Sequence, residues 1–311
     1  MLPYALGIDI GGTNTAYGLV DRRGRILAKG KISTTGHSGV PYFIEALKAA
    51  LLPVLAQAGA GNIAGVGAGA PNGNFFSGEI VDAPNLPWKG IIPLARLLQD
   101  ALGLKATITN DANAAAIGEM TYGVAKGMKD FIMVTLGTGL GSGFVANGQL
   151  IYGHDGFAGE LGHVIAIRDG RRCGCGRRGC LETYCSATGL VRTAKEWLAV
   201  RPDGTALRNI DSLTAHAIQQ AAETGDAFAA ELYEYTGKIL GHTLADMVAV
   251  TSPEAIILFG GLAGARHLLL EPTQRYMEDA LLGIYKNKVR LLLSELPEDD
   301  AAILGASALC W

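Results

Sequence analysis

Residues 4–13, YALGIDIGGT, decide the fold, because an apolar strand runs directly into a glycine-rich turn that carries Asp9, Gly11, Gly12 and Thr13. Two further strands, Ala16–Val20 and Arg25–Lys31, are predicted next and make a three-strand meander. Glycines in such a turn let backbone N–H groups approach a phosphate, and the Thr13 hydroxyl can add a hydrogen bond. Asp9 stands at the strand end, where a carboxylate can hold Mg²⁺ through water.

The same plan recurs in the middle of the chain. Phe131–Leu136 is a predicted strand, Gly137-Thr138-Gly139 is a tight turn, and Ser142–Ala146 and Gln149–Tyr152 are the next two strands. One glycine-rich hairpin is common, whereas two copies in the same order indicate an internal duplication. We therefore predict an α/β fold of two related domains that face each other and offer both turns to one ligand.

A third glycine pair, Gly260-Gly261, follows the predicted buried strand Ala255–Phe259 and is a candidate contact for the adenosine part of a nucleotide. The first turn has neither the Gly-Lys-Ser/Thr of a P-loop nor the pattern of a dinucleotide-binding turn, and no helix follows it. The alternatives are a hairpin turn with a solvated Asp9 and, at the third position, a plain strand-to-helix turn. The repetition of the first two turns favours phosphate binding.

The repeat also sets the predicted domain boundary, since no low-complexity linker separates the two halves. Residues 1–112 are predicted to form a smaller N-terminal α/β domain, joined by a C-terminal helix within residues 298–311. Residues 113–297 are predicted to form a larger α/β domain. Helices are predicted over Pro41–Ala58, Leu94–Leu102, Asp111–Met120, Ala187–Ala199, Leu213–Glu223, Ala227–Val250 and Asp299–Leu309. The remaining predicted strands are Ile63–Ala70, Thr107–Asn110 and Val289–Leu293.

The composition bounds the class of protein. The 311 residues are 49% hydrophobic and 18% charged, a balance that argues against disorder. The net charge of -3 gives no basic excess for nucleic acid. The N-terminal residues lack the pattern of a signal peptide, and the apolar runs are too short and interrupted to span a bilayer. We therefore expect a cytoplasmic protein with no nucleic acid or membrane partner.

Three of the five cysteines, Cys173, Cys175 and Cys180, fall in one short loop, and His163 lies ten residues before the first of them. Three thiolates and one imidazole fill a tetrahedral Zn²⁺ shell, so the predicted zinc is structural. The alternatives are free thiols without metal, or a catalytic zinc in which one of the four is not a ligand. Cys185 and Cys310 have no partner at ligand spacing and are interpreted as ordinary buried or idle residues.

Asp111 is the candidate general base, because it stands where a predicted strand ends and a helix begins. A sugar hydroxyl is a poor nucleophile, and a carboxylate within hydrogen-bond reach can accept its proton while the bond to phosphorus forms. The alternative is that Asp111 only caps the helix. Asn110, Glu160 and Glu182 suit the dense hydroxyl pattern of a pyranose, although the two glutamates could instead be solvated loop charges.

The chain resembles the ROK family. The resemblance rests on Asp9–Thr13, on Gly159-Glu160-Leu161-Gly162-His163 and on the cysteine motif that ends at Glu182. It extends from Asp9 through Asn110–Asn113 to Gly305-Ala306, nearly the whole chain. The kinases of this family have the actin/hexokinase-like (ribonuclease H-like) fold, a duplicated two-domain ATPase fold with an interdomain cleft. The resemblance therefore implies an ATP-dependent sugar kinase with Mg²⁺, a structural zinc, and a homodimer.

The resemblance also implies residue roles. Asp111 matches the catalytic base, and the matching sugar contacts are Asn85, Asn110, Glu160, His163 and Glu182. His163 would then be both a sugar contact and a zinc ligand. The loop of residues 69–74 matches a sugar-site loop that more often reads Gly-x-Pro-Gly, so Asn72 departs from the common pattern.

The sequence leaves several substrates and functions open. Glucose, phosphorylated at its 6-hydroxyl, is the first choice of substrate. N-acetylmannosamine, N-acetylglucosamine, fructose, mannose and allose are alternatives, since discrimination rests on one or two contacts. A non-enzymatic sugar sensor or actin-like structural protein is disfavoured by the presence of both Asp9 and Asp111. A DNA-binding repressor of the same family is disfavoured because the first predicted strand starts at Tyr4 and the charge is not basic.

Overall fold

The computed structural model describes residues 2–202 and 204–311. Its strands are β1 (Tyr4–Ile10), β2 (Asn14–Asp21), β3 (Ile26–Ser33), β4 (Ile63–Gly69), β5 (Ile80–Val81), β6 (Ile91–Ile92), β7 (Ala106–Thr109), β8 (Phe131–Leu136), β9 (Leu140–Ala146), β10 (Gln149–Leu150), β11 (Ala255–Phe259) and β12 (Arg290–Leu293). Its α-helices are α1 (Val40–Ala58), α2 (Leu94–Leu102), α3 (Asp111–Tyr122), α4 (Glu182–Cys185), α5 (Ala187–Val200), α6 (Ala215–Glu223), α7 (Ala227–Thr251), α8 (His267–Ala280) and α9 (Glu298–Ala308).

Two five-stranded sheets repeat one plan. The first has the order β3-β2-β1-β4-β7 and the second has the order β10-β9-β8-β11-β12. In each, the first three strands form an antiparallel meander and the last two join in parallel. Because the two orders match strand for strand, the predicted internal duplication is confirmed.

The first sheet is covered on one face by α1 and α2. Phe43, Leu47 and Leu51 share one side of α1 and are fully buried in the core cluster that also contains Leu6 and Ile8 of β1. Burial of side chains of this size contributes about 1.5–3 kcal/mol each, so this face holds the layer together. The apolar residues whose spacing predicted α1 are therefore the ones that pack into the core.

The other face of the first sheet is covered by α9. Gly7 of β1 and Gly67 of β4 lie directly under this helix, and an added Cβ at either position would meet the α9 backbone at Ile303 or Ala306. α9 also crosses α3 closely, where an added Cβ at Gly118 would lie 2.8 Å from the Cα of Gly305. Glycine is therefore required for this close helix-on-sheet packing.

The larger core lies around the second sheet and the helices α5 to α8. The long helix α7 packs on α8 at two glycines, since an added Cβ at Gly237 would lie 2.8 Å from Pro272 and one at Gly241 would lie 2.8 Å from the backbone of Met277. α8 was not predicted from the sequence, and neither was the short pair β5 and β6. The predicted strand over residues 149–152 ends earlier, at Leu150.

Within residues 2–202 and 204–311, one helix has the length and composition of a membrane span. α1 has 19 residues and a mean hydropathy of 1.3, but a single helix of this kind is weak evidence, because core helices pass the same test. The buried residues Phe43, Leu47 and Leu51 place this helix in the first core.

Candidate active site

A cleft of about 1100 Å³ lies between the two sheets. It brings together most of the predicted site residues: Asn85, Asn110, Asp111, Gly137, Thr138, Gly139, Glu160, His163, Cys173, Cys175, Glu182, Gly260 and Gly261. The predicted residues of the first turn do not line the cleft but lie beside it; they are Asp9, Gly11, Gly12 and Thr13. Gly12 approaches Asn85 so closely that an added Cβ would meet the Asn85 carbonyl.

Asp111 begins α3, immediately after β7. Asn110 is the N-cap, since its Oδ1 accepts the Ala112 N–H at 2.8 Å. Asp111 Oδ1 accepts the same N–H at 2.8 Å, and in the described part of the chain its Oδ2 makes no hydrogen bond. Because Asn110 performs the capping, Asp111 keeps one oxygen for a ligand in the cleft.

Asp9 and Asp111 flank the end of β4. A Cβ added at Gly69 would lie 3.9 Å from Asp9 Oδ1 and 3.6 Å from Asp111 Cα. Burial, and then the nearby Asp111 charge, raise the pKa of Asp9 to about 7. Burial also raises the pKa of Asp111, although the side chain meets water in the cleft, because protein surrounds it on the other sides. Two close carboxylates of this kind suit a cation between them.

The two phosphate-binding candidates have the same place in their sheets but are closed by different backbone hydrogen bonds. In the first, the Gly11 N–H donates to Asn14 O at 3.0 Å, and in the second the Gly137 N–H donates to Gly139 O at 3.1 Å. The second turn is held by α5, because the Thr188 hydroxyl donates to Thr138 O at 2.7 Å. Each turn thus joins two antiparallel strands of its own sheet.

Gly260 and Gly261 border the second turn. The Leu262 N–H donates to Leu136 O at 3.0 Å. Gly260 has a φ of 99°, and an added Cβ would lie 2.8 Å from the Leu136 carbonyl. A glycine is therefore needed at this position. The contact places the third glycine pair beside the strand that leads into Gly137.

His163, Cys173, Cys175 and Cys180 form one cluster, in which the candidate ligand atoms all lie within 4.8 Å of one another. Cys175 Sγ and Cys180 Sγ are 3.6 Å apart, and Cys173 Sγ is 3.7 Å from His163 Nδ1. Two ligands of a tetrahedral zinc with a Zn–S bond of about 2.3 Å are separated by roughly 3.8 Å. The donor set and its spacing therefore fit zinc, with His163 Nδ1 as the nitrogen ligand.

The other side of His163 faces the cleft. His163 Nε2 is 3.9 Å from Glu160 Oε2, and Glu182 Oε1 is 3.7 Å from His163 Nδ1 and 3.0 Å from Cys173 Sγ. Burial raises the pKa of Glu160, His163 lowers it, and Asp111 and Glu182 raise it again. Asp111, Glu160 and Glu182 therefore form one group of hydrogen-bond acceptors in the cleft.

Ser142 is a supporting residue that the sequence analysis did not single out. Its hydroxyl donates to Gly159 O and accepts the Leu161 N–H at 3.3 Å, so it holds the backbone on both sides of Glu160. Ser142 is buried in β9. Its position between Gly141 and Gly143, in the strand after the second turn, is the only signal that the sequence offers.

The two remaining cysteines lie outside the zinc cluster. Cys185 is fully buried and its thiol lies 3.6 Å from Thr236 O, and burial raises the pKa of that thiol. Burial likewise raises the pKa of Cys310 to about 12. Both thiols are therefore protonated and unreactive at neutral pH.

The raised pKa of Asp9 predicts a change in stability. A folded pKa of about 7 against 3.8 for an unperturbed group means that the stability linked to Asp9 is present below pH 3.8 and is lost as pH rises toward 7. In Mg²⁺-free buffer at pH 8, Asp9→Asn should therefore raise the melting temperature, by about 3 °C. The gain should shrink at pH 5. Melting curves followed by circular dichroism test this, with the exposed Asp100→Asn as control. A gain that is independent of pH would contradict it.

Comparison with known proteins shows the family that the chain belongs to. The ROK family model matches residues 5–311. The chain is 33% identical over 311 residues to a glucokinase of Halalkalibacterium halodurans, covering 98% of this chain and 94% of that protein. It is 31% identical over 311 residues to an N-acetylmannosamine kinase of Citrobacter koseri, covering 98% and 97%.

Among solved structures, the chain resembles a ROK family glucokinase from Streptomyces griseus in complex with glucose and AMPPNP. The TM-score is 0.81, the sequence identity is 34%, and 98% of each chain is covered. The predicted α/β, actin/hexokinase-like fold is confirmed by this likeness and by the duplicated sheets.

Proposed function

Because this chain belongs to the ROK family, we propose that it is an ATP-dependent hexokinase that phosphorylates glucose at the 6-hydroxyl, with Asp111 as the base. The observation that carries the proposal is the position of Asp111. It lines a cleft that also contains Gly137–Gly139, and the first glycine turn lies beside that cleft. The proposed base, the proposed sugar contacts and the second glycine turn all line this cleft, which supports the proposal.

In the proposed reaction, Asp111 Oδ2 accepts the proton of the sugar 6-hydroxyl while the hydroxyl oxygen bonds to the γ-phosphorus of ATP, the bond from that phosphorus to the β,γ-bridging oxygen breaks, and ADP leaves. The raised pKa of Asp111 makes it a stronger base than an ordinary aspartate. Its Oδ1 stays bonded to the Ala112 N–H, so the carboxylate keeps its orientation during the transfer.

The sugar is proposed to bind through Asn85, Asn110, Asp111, Glu160, His163 and Glu182. The Asn110 Oδ1 is used by the helix cap, so its amide N–H groups are the ones available to donate to the ligand. The glutamates accept hydrogen bonds from sugar hydroxyls, and His163 Nε2 faces the cleft side of Glu160. A ligand with many hydroxyl donors suits this group of acceptors.

ATP with Mg²⁺ supplies the phosphoryl group and the positive charge that stabilises its transfer. Residues Gly11, Gly12, Thr13, Gly137, Thr138 and Gly139 are proposed to bind the phosphates with their backbone N–H groups, and Asp9 to hold Mg²⁺ through water. Gly260 and Gly261 are proposed to contact the adenosine portion. The occurrence of one such turn at the same place in each of the two sheets supports this assignment.

The zinc ion is proposed to be structural, bound by His163, Cys173, Cys175 and Cys180. Four protein ligands leave no open coordination position, so zinc takes no part in bond making. It fixes the loop that carries His163 and Glu182.

We also propose that residues 1–112, with the C-terminal helix within residues 298–311, form one domain and that residues 113–297 form the other. The protein is proposed to be a cytoplasmic homodimer. The helix α9, which covers the first sheet, supports the assignment of residues 298–311.

N-acetylmannosamine is the second candidate substrate, supported by the similarity to an N-acetylmannosamine kinase. The two substrates share the chemistry and differ in a hydroxyl or acetamido contact. N-acetylglucosamine, fructose, mannose and allose belong to the same group of alternatives.

The test is an ADP-release assay with Mg-ATP across these six sugars. We expect glucose to have the highest kcat/KM, by about tenfold or more over the N-acetylated sugars, because one unmatched polar contact costs at least this much. A maximum at N-acetylmannosamine would keep the mechanism and change the substrate. Sugar binding without turnover of any sugar would replace the kinase by a sensor.

A further inference from the structure

Residues 82–90 form a closed loop that carries the predicted sugar contact Asn85. The ends of the loop are joined by two hydrogen bonds between Asp82 and Gly90. The Asp82 N–H donates to Gly90 O at 3.1 Å, and the Gly90 N–H donates to Asp82 Oδ1 at 2.9 Å. The loop is anchored on α1 through Trp88, because the centroid of its ring lies 4.7 Å from the centroid of the Phe43 ring. Its shape therefore sets where Asn85 lies in the cleft.

Lys89 stabilises the interior of this loop. Its ammonium group donates to the carbonyl oxygens of Ala83, Pro84 and Leu86 at 3.1, 3.1 and 3.2 Å. These three carbonyls bracket Asn85 in the chain. An ammonium group has three donors, and here all three are used to hold the backbone on either side of the sugar contact.

Asn72 fixes the start of the loop from the other side. Its side-chain amide donates to Val81 O at 2.9 Å and to Asp82 O at 3.5 Å, and the Val81 N–H donates to Asn72 O at 3.2 Å. Asn72 has a φ of 52°, a conformation that asparagine and glycine tolerate better than other residues. Glycine at this position would keep the backbone conformation but lack the amide.

We infer that Asn72 and Lys89 are positioning residues for sugar binding, which hold the loop of residues 82–90 in its binding shape before the sugar arrives. Neither side chain needs to touch the sugar. A loop that is already ordered loses less conformational freedom on binding, so the effect falls on sugar affinity rather than on the chemical step. This inference rests on the proposed sugar kinase activity.

The substitutions that test it are Asn72→Gly and Lys89→Met. Glycine accepts the positive φ of Asn72, so the first removes only the amide. Methionine keeps most of the length of Lys89 and removes the ammonium. Matched controls are Asn147→Gly, at an exposed turn residue with a φ of 53°, and Lys126→Met, at an exposed residue between α3 and β8.

Both test variants should raise the sugar KM by about fivefold, with kcat and the KM for ATP changed by less than about twofold. The control variants should match the wild type in all three constants. The tryptophan fluorescence, to which Trp88, Trp197 and Trp311 contribute, and the melting temperature show whether each variant is folded. An unchanged sugar KM in both test variants, or an equal fall in kcat, would overturn the inference. The proposed function fails in a different way, since the wild type itself would then release no ADP with any sugar.

Discussion

Asp111→Asn should bind sugar and ATP but turn over about 10³-fold more slowly than the wild type, the usual contribution of a general base. Asparagine has the same shape, and its Oδ1 can still accept the Ala112 N–H that holds Asp111 in place. The helix cap is supplied by Asn110, so α3 keeps its start. The variant therefore removes the proton acceptor and little else.

The measurement is kcat in the ADP-release assay, together with the sugar dissociation constant by calorimetry. Asp100→Asn on the exposed side of α2 is the control, because it makes the same chemical change away from the cleft. A loss of less than about tenfold in kcat, with binding retained, would show that another group accepts the proton. A loss of sugar binding equal to the loss of rate would make Asp111 a binding residue rather than a base.

Cys180→Ser should abolish zinc binding and strongly weaken sugar binding at the same time. The sulfur of Cys180 lies 3.6 Å from that of Cys175, and the ligand loop continues within two residues to Glu182. Without the metal, the positions of His163 and Glu182 are no longer fixed relative to Glu160. Because both are proposed sugar contacts, we expect the sugar KM to rise by about 100-fold, and the melting temperature to fall.

Zinc content by elemental analysis, sugar KM and melting temperature are measured on the same preparations. Cys310→Ser is the matched control, since Cys310 lies outside the cluster, and it should retain about one zinc per chain with normal kinetics. Full sugar affinity in a zinc-free Cys180→Ser protein would contradict the proposed coupling. Retention of zinc would show that the site does not need this thiolate.

The sequence predicted the parts of the fold that repeat or alternate. The two glycine turns identified the duplication because each follows an apolar strand and precedes another. The cysteine spacing predicted the cluster at His163 because soft ligands within one short loop have few other uses. In both cases the residues that carry the pattern are close together in the chain, so one sequence is enough to recognise it.

The features that were missed depend on contacts between distant segments. α8 contains Pro272 and packs on α7 through Gly237 and Gly241, a fit that only the paired helices reveal. β5 and β6 have two residues each, too few for an alternating pattern. The role of Lys89 depends on three carbonyl groups, which no side-chain pattern encodes.

The position of α9 has a consequence for how the protein is made. This helix covers the face of the first sheet at Gly7 and Gly67, yet about 190 residues separate it from β7, the last strand of that sheet. At ribosomal speeds of about 5–20 residues per second, the first sheet therefore waits roughly 10–40 s with that face uncovered. The second sheet, whose strands are all made before α9, can be complete while the first is still exposed to chaperones and proteases. The first sheet is thus translated first but is the last of the two to be fully covered.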